Sequence, residues 1–364
     1  MVVQLTFIQL HQPKSLIFGM FQLRINRVFN KREIMHFADA HTQISSFFNL
    51  IFVENNQQKY TVKMPIKWWE AIFGLFRLSR RALRLDKCNV LPTPENNLII
   101  VRQGQVYFYD AQIQTLSQTL TLRQCRNVLH QSIGFSENGH VFFGEYGHNA
   151  AREAVPVYRS SDGGRSWICV YEFKPQEIKH VHGCYWDPYE QKIWTLTGDF
   201  ANENWVVVAD EDFKNVEKIG TGQQQFRACN LFFEADKVHW IMDSQLENSY
   251  HIVLDRKTRQ IEQKMLFQGP VWYIKRLQDG YYLAATTQEI GAGVLDKKAH
   301  LMLSRDLENW QTLVQFEHDG LPMRYFKFGV IGFSDGPQSS NQFFMFLESL
   351  RGYDGKVLEC SIEK

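Results

Sequence analysis

Short strand-like stretches recur along this chain at a nearly constant interval, and no other feature of the sequence constrains the fold as strongly. After residue 88, runs of alternating apolar and polar residues are separated by Gly, Asp, Asn or Pro roughly every 8–12 residues, which is an all-β pattern. Repeating units are spaced by 50, 47, 45 and 53 residues, with starts at His130, His180, Arg227, Trp272 and Tyr325. A period of about 40–50 residues with four strands is typical of a propeller blade. The sequence therefore predicts a β-propeller of about six four-stranded blades over residues 88–364, with a seventh that the N-terminal region could complete.

Residues 1–87 are predicted to form an N-terminal extension, because this region is aromatic and basic and lacks a two-residue alternation. Within it, the stretch PIKWWEAIFGLFRLSRRALRL (residues 65–85) is expected to be an amphipathic helix, since Pro opens it and apolar residues recur at helical spacing. Its second half carries Arg77, Arg80, Arg81 and Arg84. Two interpretations are open: the helix packs against the propeller, or its cationic side contacts an anionic membrane surface.

The overall charge excludes one class of function. The chain has 40 Lys and Arg against 39 Asp and Glu, a net charge of +1, so there is no general electrostatic attraction to nucleic acid. The opening stretch MVVQLTFIQLHQPKSLIFGMFQLR lacks the basic start and cleavage site of a signal peptide, and no run of about 18 apolar residues occurs. We therefore expect a cytoplasmic protein, or one that contacts the inner membrane only peripherally.

One polar turn, SSDGGRSW at residues 160–167, lies between two runs of alternating apolar residues. Asp162 is expected to accept hydrogen bonds from the amides of the turn, while Gly163 and Gly164 supply positive φ angles. Trp167 is then expected to pack between neighbouring blades. A degenerate version of the turn keeps Ser304, Asp306 and Trp310.

This S-x-D-x-G-x-x-W pattern resembles the Asp-box (BNR) propeller families, which include sialidases. The wider stretch FFGEYGHNAAREAVPVYRSSDGGRSW, followed by HVHGCYWDPYEQKIWTLTGD, is similar to the sialidase-like BNR proteins often labelled glycosyl hydrolases in bacterial genomes. The resemblance covers about residues 88–364 and implies a β-propeller fold and a carbohydrate ligand. The box itself lies on the outer rim of such propellers, and the F/Y-R-I-P motif of sialidases is absent here. A sialidase mechanism is therefore not carried over.

Sites on propellers gather where the segment before each first strand and the loop after each second strand open around the axis. The repeat allows residues to be assigned to these positions. Segments before first strands hold Arg126, His130, His180, His182, Arg227, Trp272, Tyr273 and Arg324. Ends of second strands hold Glu145, Tyr146, His148, Asp199, Asp243 and Arg351.

The predicted binding residues suit an acidic sugar. The arginines Arg126, Arg227 and Arg324 match the carboxylate of a sialic or uronic acid, because guanidinium binds carboxylate in a bidentate manner. Rings of Trp272 and Tyr273 could stack on a sugar face. The alternative is that each arginine pairs with an acidic residue of a neighbouring blade and clamps the ring. The remaining predicted binding residues are His130, His180, Asp243 and Arg351.

The predicted catalytic residues are Glu145, Tyr146, His148, His182 and Asp199. A histidine base and a tyrosine acid would serve β-elimination on a uronate. Alternatively, Tyr146 activated by Glu145 would act as a nucleophile, as in sialidases. No cofactor is expected in either case. A third alternative is a divalent metal held by His148, His180 and His182.

These observations lead to two hypotheses of different class. The first is a carbohydrate-active propeller that binds an acidic oligo- or polysaccharide at the axial mouth and cleaves it, as a glycoside hydrolase or a polysaccharide lyase. The second is a non-catalytic glycan-binding or assembly protein of a polysaccharide-synthesis system. Clustered histidines and carboxylates favour the first hypothesis, whereas the missing export signal favours the second.

Overall fold

The computed structural model describes residues 21–56 and 58–364. These residues form seven antiparallel sheets of four strands each, arranged as a ring of blades. The predicted all-β propeller is confirmed, and the blade count is seven.

The strands are numbered along the chain. The first is β1 (Gln22–Phe29), and blade 1 follows with β2 (Ile34–Ala38), β3 (Thr42–Phe47), β4 (Leu50–Asn55) and β5 (Lys59–Lys63). Blade 2 contains β6 (Asn89–Pro92), β7 (Leu98–Arg102), β8 (Gln105–Asp110) and β9 (Thr115–Thr121). Blade 3 contains β10 (Gly134–Phe135), β11 (Val141–Gly144), β12 (Val155–Ser160) and β13 (Ile168–Phe173). Blade 4 contains β14 (His180–Asp187), β15 (Lys192–Gly198), β16 (Asn204–Ala209) and β17 (Val216–Gly222).

The remaining blades complete the ring. Blade 5 contains β18 (Phe232–Phe233), β19 (Lys237–Ile241), β20 (Tyr250–Asp255) and β21 (Ile261–Leu266). Blade 6 contains β22 (Val271–Arg276), β23 (Tyr282–Thr286), β24 (Lys298–Ser304) and β25 (Trp310–Glu317). Blade 7 contains β26 (Val330–Phe333), β27 (Phe343–Glu348), β28 (Lys356–Glu363) and the distant strand β1. The described helices are α1 (Trp68–Phe73), α2 (Arg77–Ala82) and α3 (Met323–Phe326), with a 3-10 turn at Gln224–Phe226.

Strand β1 closes the ring. It pairs antiparallel with β28, with Gln22 opposite Glu363 and Phe29 opposite Val357, so it is the outermost strand of blade 7. Blade 1 follows directly. Most of the region predicted as an extension, from residue 22 to residue 63, is therefore part of the propeller. Residues 1–20, which carry most of the stretch assessed for a signal peptide, lie outside the described residues.

Apolar side chains on facing sheets form the core between successive blades. Between blades 4 and 5, for example, Trp194 and Trp240 are both fully buried in one cluster with Val206 and Ile252. Burying such large rings removes much apolar surface from water, which is the main force holding neighbouring blades together. The packing between blades holds the innermost strand of each blade in place around the axis.

The polar turn at residues 160–167 has the geometry expected from its sequence. Asp162 Oδ1 accepts a hydrogen bond of 2.8 Å from the Ser166 amide, and Gly163 and Gly164 have φ angles of 70° and 98°. Trp167 Nε1 donates to Thr119 Oγ1 of blade 2 at 3.1 Å. The indole therefore lies between blades 2 and 3, at the turn that joins a third strand to a fourth.

The segment between blades 1 and 2 differs from the single amphipathic helix predicted for residues 65–85. It forms α1 and α2, separated by a turn at residues 74–76. Arg80 and Arg81 point inward and are only 4% and 1% exposed. The arginines can be buried because they form ion pairs with carboxylates of other elements; for example, Arg80 Nη2 lies 2.8 Å from Glu33 Oε1. A cationic surface formed by α2 is therefore not present.

Across residues 21–56 and 58–364, no helix has the length and apolar character needed to cross a bilayer.

Candidate functional site

One face of the ring carries most of the predicted site residues. In every blade the strands run antiparallel in order from the axis outward, so each first strand begins at the end where the second strand stops. We call this end the mouth face. It contains a pocket of about 480 Å³, here called the mouth pocket, which is within the usual range of ligand sites of roughly 300–1,000 Å³.

The lining of the mouth pocket is cationic and aromatic. Its cationic side chains are Arg84, Lys87, Arg126, Lys179 and Lys327, and its histidines are His130, His148 and His180. Its aromatic residues are Tyr146, Trp272, Tyr273 and Phe328, and its single carboxylate is that of Glu348. Such a lining favours an anionic ligand with flat apolar faces.

Two arginines of this lining lack carboxylate partners. Arg126 donates only to the amide oxygen of Gln103, and neither Arg126 nor Arg84 forms an ion pair with any described residue. Burial is the main cause that lowers the pKa of Arg84; the carboxylates of Glu348 and Asp86 oppose it, and the charges of Arg81 and Arg126 add to it. An anion that binds in the pocket can accept hydrogen bonds from both guanidinium groups of the lining.

Three acceptor atoms meet at the inner end of the mouth pocket. Nε2 of His180 lies 3.1 Å from Nε2 of His182, and each of these nitrogens lies 3.2 Å from Oδ1 of Asp199. The Nδ1 atoms donate elsewhere, to the carbonyl oxygens of Gly147 and Ala228 at 2.7 and 2.8 Å. A neutral imidazole that donates through Nδ1 has only a lone pair on Nε2. The three atoms therefore need a shared cation, either a proton or a metal ion.

The dimensions of this triangle suit a divalent metal. Edges of this length leave a position about 2.0–2.2 Å from all three atoms, the range of zinc bonds to histidine nitrogen and carboxylate oxygen. Backbone carbonyls orient both imidazoles, as is usual for histidine ligands. Burial lowers the pKa of His180, so the ring stays neutral. The sequence left open, as an alternative, a metal held by His148, His180 and His182; in the structure the ligand atoms that lie together belong to His180, His182 and Asp199.

A second group, His182, Cys229 and Asp243, is close enough to surround an ion but is less suited to one. Burial raises the pKa of Cys229 well above its usual range, and the neighbouring Asp243 raises it further. The thiol already lies 3.2 Å from Asp243 Oδ2 as a donor. A protonated thiol is a poor metal ligand, so this group is a hydrogen-bonded cluster.

Tyr146 lies against the two histidines of the triangle, and His148 lines the same mouth pocket. The ring of Tyr146 lies over His180 with centroids 4.2 Å apart, and His148 is exposed in the pocket lining. Burial raises the pKa of Tyr146 well above its usual value, and the Asp199 carboxylate raises it further. Tyr146 therefore keeps its proton at neutral pH and is available as an acid.

The pairing of Glu145 with Tyr146 that a nucleophilic tyrosine requires is not formed. Both carboxylate oxygens of Glu145 accept hydrogen bonds elsewhere, from the amides of Arg123 and Gln124 at 2.8 and 2.9 Å and from the Tyr158 hydroxyl at 3.0 Å. These bonds fix the segment before blade 3. Glu145 thus shapes the pocket wall, because its acceptor capacity is committed to the backbone.

Arg227 and Asp243, both predicted to bind substrate, are buried and pair with each other. Arg227 is 4% exposed, and its guanidinium lies 3.3 Å from Asp243 Oδ2 and 3.2 Å from Asp199 Oδ1. These carboxylates raise the pKa of Arg227 against the opposing effect of its burial. Arg227 is not part of the lining of the mouth pocket: its guanidinium contacts Asp199 and Asp243 as a clamp between blades 4 and 5, and its role in ligand binding stays a prediction.

Two other predicted arginines lie away from the mouth pocket. Arg324 is exposed on α3 and stacks on Tyr325, while Arg351 is exposed and donates to Glu317 at 2.7 Å. Neither contributes to the lining. Those predicted binding residues that the pocket does bring together are Arg126, His130, His180, Trp272 and Tyr273.

Sequence reasoning missed three lysines of the lining. Lys87, Lys179 and Lys327 each lie one to three positions before the first strand of a blade. Lys179 Nζ lies 2.6 Å from Asp199 Oδ2, and Lys327 lies 2.9 Å from Asp86 Oδ2. Because all three lysines occupy the same position in the repeat, that position could have predicted that they lie at the mouth face.

Comparisons with known proteins show the fold. No protein-family model and no curated protein matches the chain. Among solved structures it is similar to an oligogalacturonate lyase from Vibrio parahaemolyticus, with a TM-score of 0.58 and 9% identity over 95% of this chain and 97% of that one. It is also similar to a chain of a mitotic checkpoint complex, with a TM-score of 0.55 and 10% identity over 99% and 98% of the two chains. At these identities the likeness extends to the propeller architecture alone.

Proposed function

We propose that this protein binds an acidic oligosaccharide in the mouth pocket and cleaves it by β-elimination. The observation that carries the proposal is the pair Arg84 and Arg126, two guanidinium groups without carboxylate partners at one pocket. A sugar carboxylate supplies the missing anion in a bidentate geometry. Trp272 and Phe328, with rings 6.0 Å apart in the same lining, offer a surface for the apolar face of a sugar ring.

The residues for elimination lie next to this anion site. His148, which is exposed in the pocket, removes the proton from the carbon beside the uronate carboxylate. The electron pair of that C–H bond forms a carbon–carbon double bond, the glycosidic C–O bond breaks, and Tyr146 donates its proton to the leaving oxygen. Burial raises the pKa of Tyr146, so the hydroxyl holds its proton in the resting pocket and gives it up only when negative charge develops on the leaving oxygen.

The triangle of His180, His182 and Asp199 supports the same chemistry. A divalent cation bound there would neutralise the sugar carboxylate and so make the neighbouring C–H bond more acidic. In the absence of a metal, a proton shared among the three atoms would place positive charge at the same point. Lys179 and Arg227, both bonded to Asp199, hold that carboxylate in place.

The exposure of His148 favours a second function in the same pocket. Nothing among the described residues orients this imidazole, whereas catalytic bases are usually held by a second group. A protein that only binds acidic glycans needs the arginines and aromatic rings but no oriented base. This second candidate function predicts binding without turnover.

Binding and cleavage can be tested separately. Titration calorimetry with an oligogalacturonate and with a neutral maltooligosaccharide should show saturable binding of the acidic sugar alone. Arg126→Ala should weaken that binding by about tenfold at unchanged melting temperature, because one guanidinium of the pair is lost and no ion pair is broken. Arg351→Ala is the matched control, since Arg351 is an exposed arginine outside the pocket.

Cleavage should appear as ultraviolet absorbance of the unsaturated uronate product. We expect product formation with the wild type and none with Tyr146→Phe or His148→Ala. Mn²⁺ or Zn²⁺ should bind to the wild type and not to His182→Ala, with exposed His41→Ala as the control. Binding of the acidic sugar without any absorbance change would leave the glycan-binding function in place of the lyase. Equal affinity for acidic and neutral sugars would contradict both the lyase function and the function as a binding protein for acidic glycans.

A further inference from the structure

The two helices between blades 1 and 2 have the opposite orientation to that of an ordinary amphipathic surface helix, which buries its apolar side. Their arginines point into the protein, while large apolar side chains point to solvent. Trp68, Leu75 and Phe76 are 78%, 73% and 68% exposed, and Ile72 and Leu78 are each 54% exposed. Isolated apolar residues are common on protein surfaces, but a contiguous group of this size usually marks an interaction site.

The inversion is fixed by ion pairs that reach distant parts of the ring. Arg80 contacts Glu33 at 2.8 Å, and its guanidinium lies 4.6 Å from the centre of the Phe47 ring. Arg77 lies 2.7 Å from Asp86 and 2.8 Å from Asp354. Rotating α2 to bury its apolar face would break these buried ion pairs and leave Glu33 without its two arginine partners. The apolar face is therefore held outward.

The exposed face has a narrow, rigid tip. The turn between α1 and α2 passes through Gly74, where an added Cβ would lie 2.2 Å from the ring of Phe48. Only glycine fits this contact, so the turn is pressed against blade 1. Leu75 and Phe76 follow immediately and project from it. We call Trp68, Ile72, Phe73, Leu75, Phe76 and Leu78 the apolar tip.

The fully exposed charged residues that flank the apolar tip in the sequence are cationic. Between residues 61 and 85 the only acidic residue is Glu70, which is buried and accepts a hydrogen bond of 2.9 Å from the Lys67 amide. Lys63 and Lys67 are exposed beside the tip. The adjoining helix α3 adds exposed Arg324 and Tyr325. A convex apolar surface with Trp and Tyr and a cationic border matches the interface of an anionic bilayer.

We propose that the apolar tip docks this protein on the surface of an anionic lipid bilayer, with Leu75 and Phe76 entering the boundary between headgroups and acyl chains. The lysines at the border meet the lipid phosphates, while the propeller itself stays outside the bilayer. The proposal is independent of sugar binding.

Vesicle flotation with the full-length protein tests this. The probes are vesicles of phosphatidylcholine and vesicles of an equal mixture of phosphatidylcholine and phosphatidylglycerol. We expect the wild type to float with the anionic vesicles and to float less well with the neutral ones. The triple variant Trp68→Ser, Leu75→Ser, Phe76→Ser should lose at least about tenfold in partitioning, because most of the area that enters the lipid is removed.

A matched control carries Ile113→Ser and Ile168→Ser, which remove two exposed apolar side chains near turns on the opposite face. It should float like the wild type, and all variants should keep the wild-type melting temperature. A wild type that remains at the bottom of the gradient with both kinds of vesicle would overturn the proposal. So would a wild-type dimer by light scattering that the triple variant converts to a monomer, because the tip would then be covered by a second copy.

Discussion

Atom Nη2 of Arg227 lies 3.2 Å from Oδ1 of Asp199, across the boundary between blades 4 and 5. The same guanidinium also lies 3.3 Å from Asp243. The same oxygen of Asp199 lies 3.2 Å from Nε2 of His180 and from Nε2 of His182, and these three atoms form the triangle described above. One buried arginine thus neutralises two carboxylates, and it also fixes the position of the triangle.

Replacing Arg227 should damage stability rather than recognition. Arg227→Ala leaves two carboxylates in a poorly hydrated position, so we expect the free energy of unfolding to fall by about 3–5 kcal/mol. Urea denaturation measures this directly. Arg351→Ala breaks a pair between side chains that are 69% and 56% exposed and should cost no more than about 1 kcal/mol. Similar small losses for both variants would contradict the clamp.

Glu289, which follows the second strand of blade 6, should make stability depend on pH. Burial, together with the neighbouring Asp243, raises its pKa to about 8, whereas in the unfolded chain the group ionises near 4.5. Between these values the folded protein holds a proton that the unfolded chain has lost. Stability therefore falls as pH rises through this window.

Glu289→Gln removes this dependence. The variant should match the wild type near pH 4, and its stability relative to the wild type should increase as pH rises, by about 4 kcal/mol at pH 8. Melting temperatures measured across the window report the difference. The exposed residue Glu137 provides the control Glu137→Gln, which should follow the wild-type curve. Parallel curves for wild type and Glu289→Gln would rule out a buried proton at this site.

The turn at Asp162 should contribute locally to blade 3. Asp162 accepts hydrogen bonds from the Ser166 amide at 2.8 Å and from the Ser166 hydroxyl at 2.6 Å. Asp162→Ala should lower the free energy of unfolding by about 1–2 kcal/mol, because about two hydrogen bonds of roughly 1 kcal/mol each are lost. Thermal denaturation checks this, with exposed Asp236→Ala as the reference. An unchanged melting temperature would show that the turn forms without these bonds.

Local sequence patterns predicted the propeller, because strand alternation and turn residues act over a few positions. Blade 1 escaped detection since its inner strands bury polar groups such as His36, Ser45 and Ser46, which hides the alternation. The repeat also placed Arg126, His180 and Tyr146 correctly at one pocket. It could not give side-chain partners, because these come from other blades.

The arginines of α2 show the same limit. Helical spacing assigned the apolar residues to the protein side and the arginines to solvent. The acceptors of Arg81 are the backbone oxygen of Phe326 and the carboxylate of Asp319, about 240 positions further along the chain. A window of helical length does not contain this information, so the orientation of the segment was predicted the wrong way round.

Ring closure by β1 has a consequence for biogenesis. A ribosome delivers β1 long before β28, so the earliest described strand must wait through the synthesis of six blades for its hydrogen-bonding partner. During that interval its unpaired edge is open to other chains. Assembly therefore ends with the meeting of the two extremes of the described chain, and truncation before residue 356 would leave β1 without its partner strand rather than merely shorten one blade.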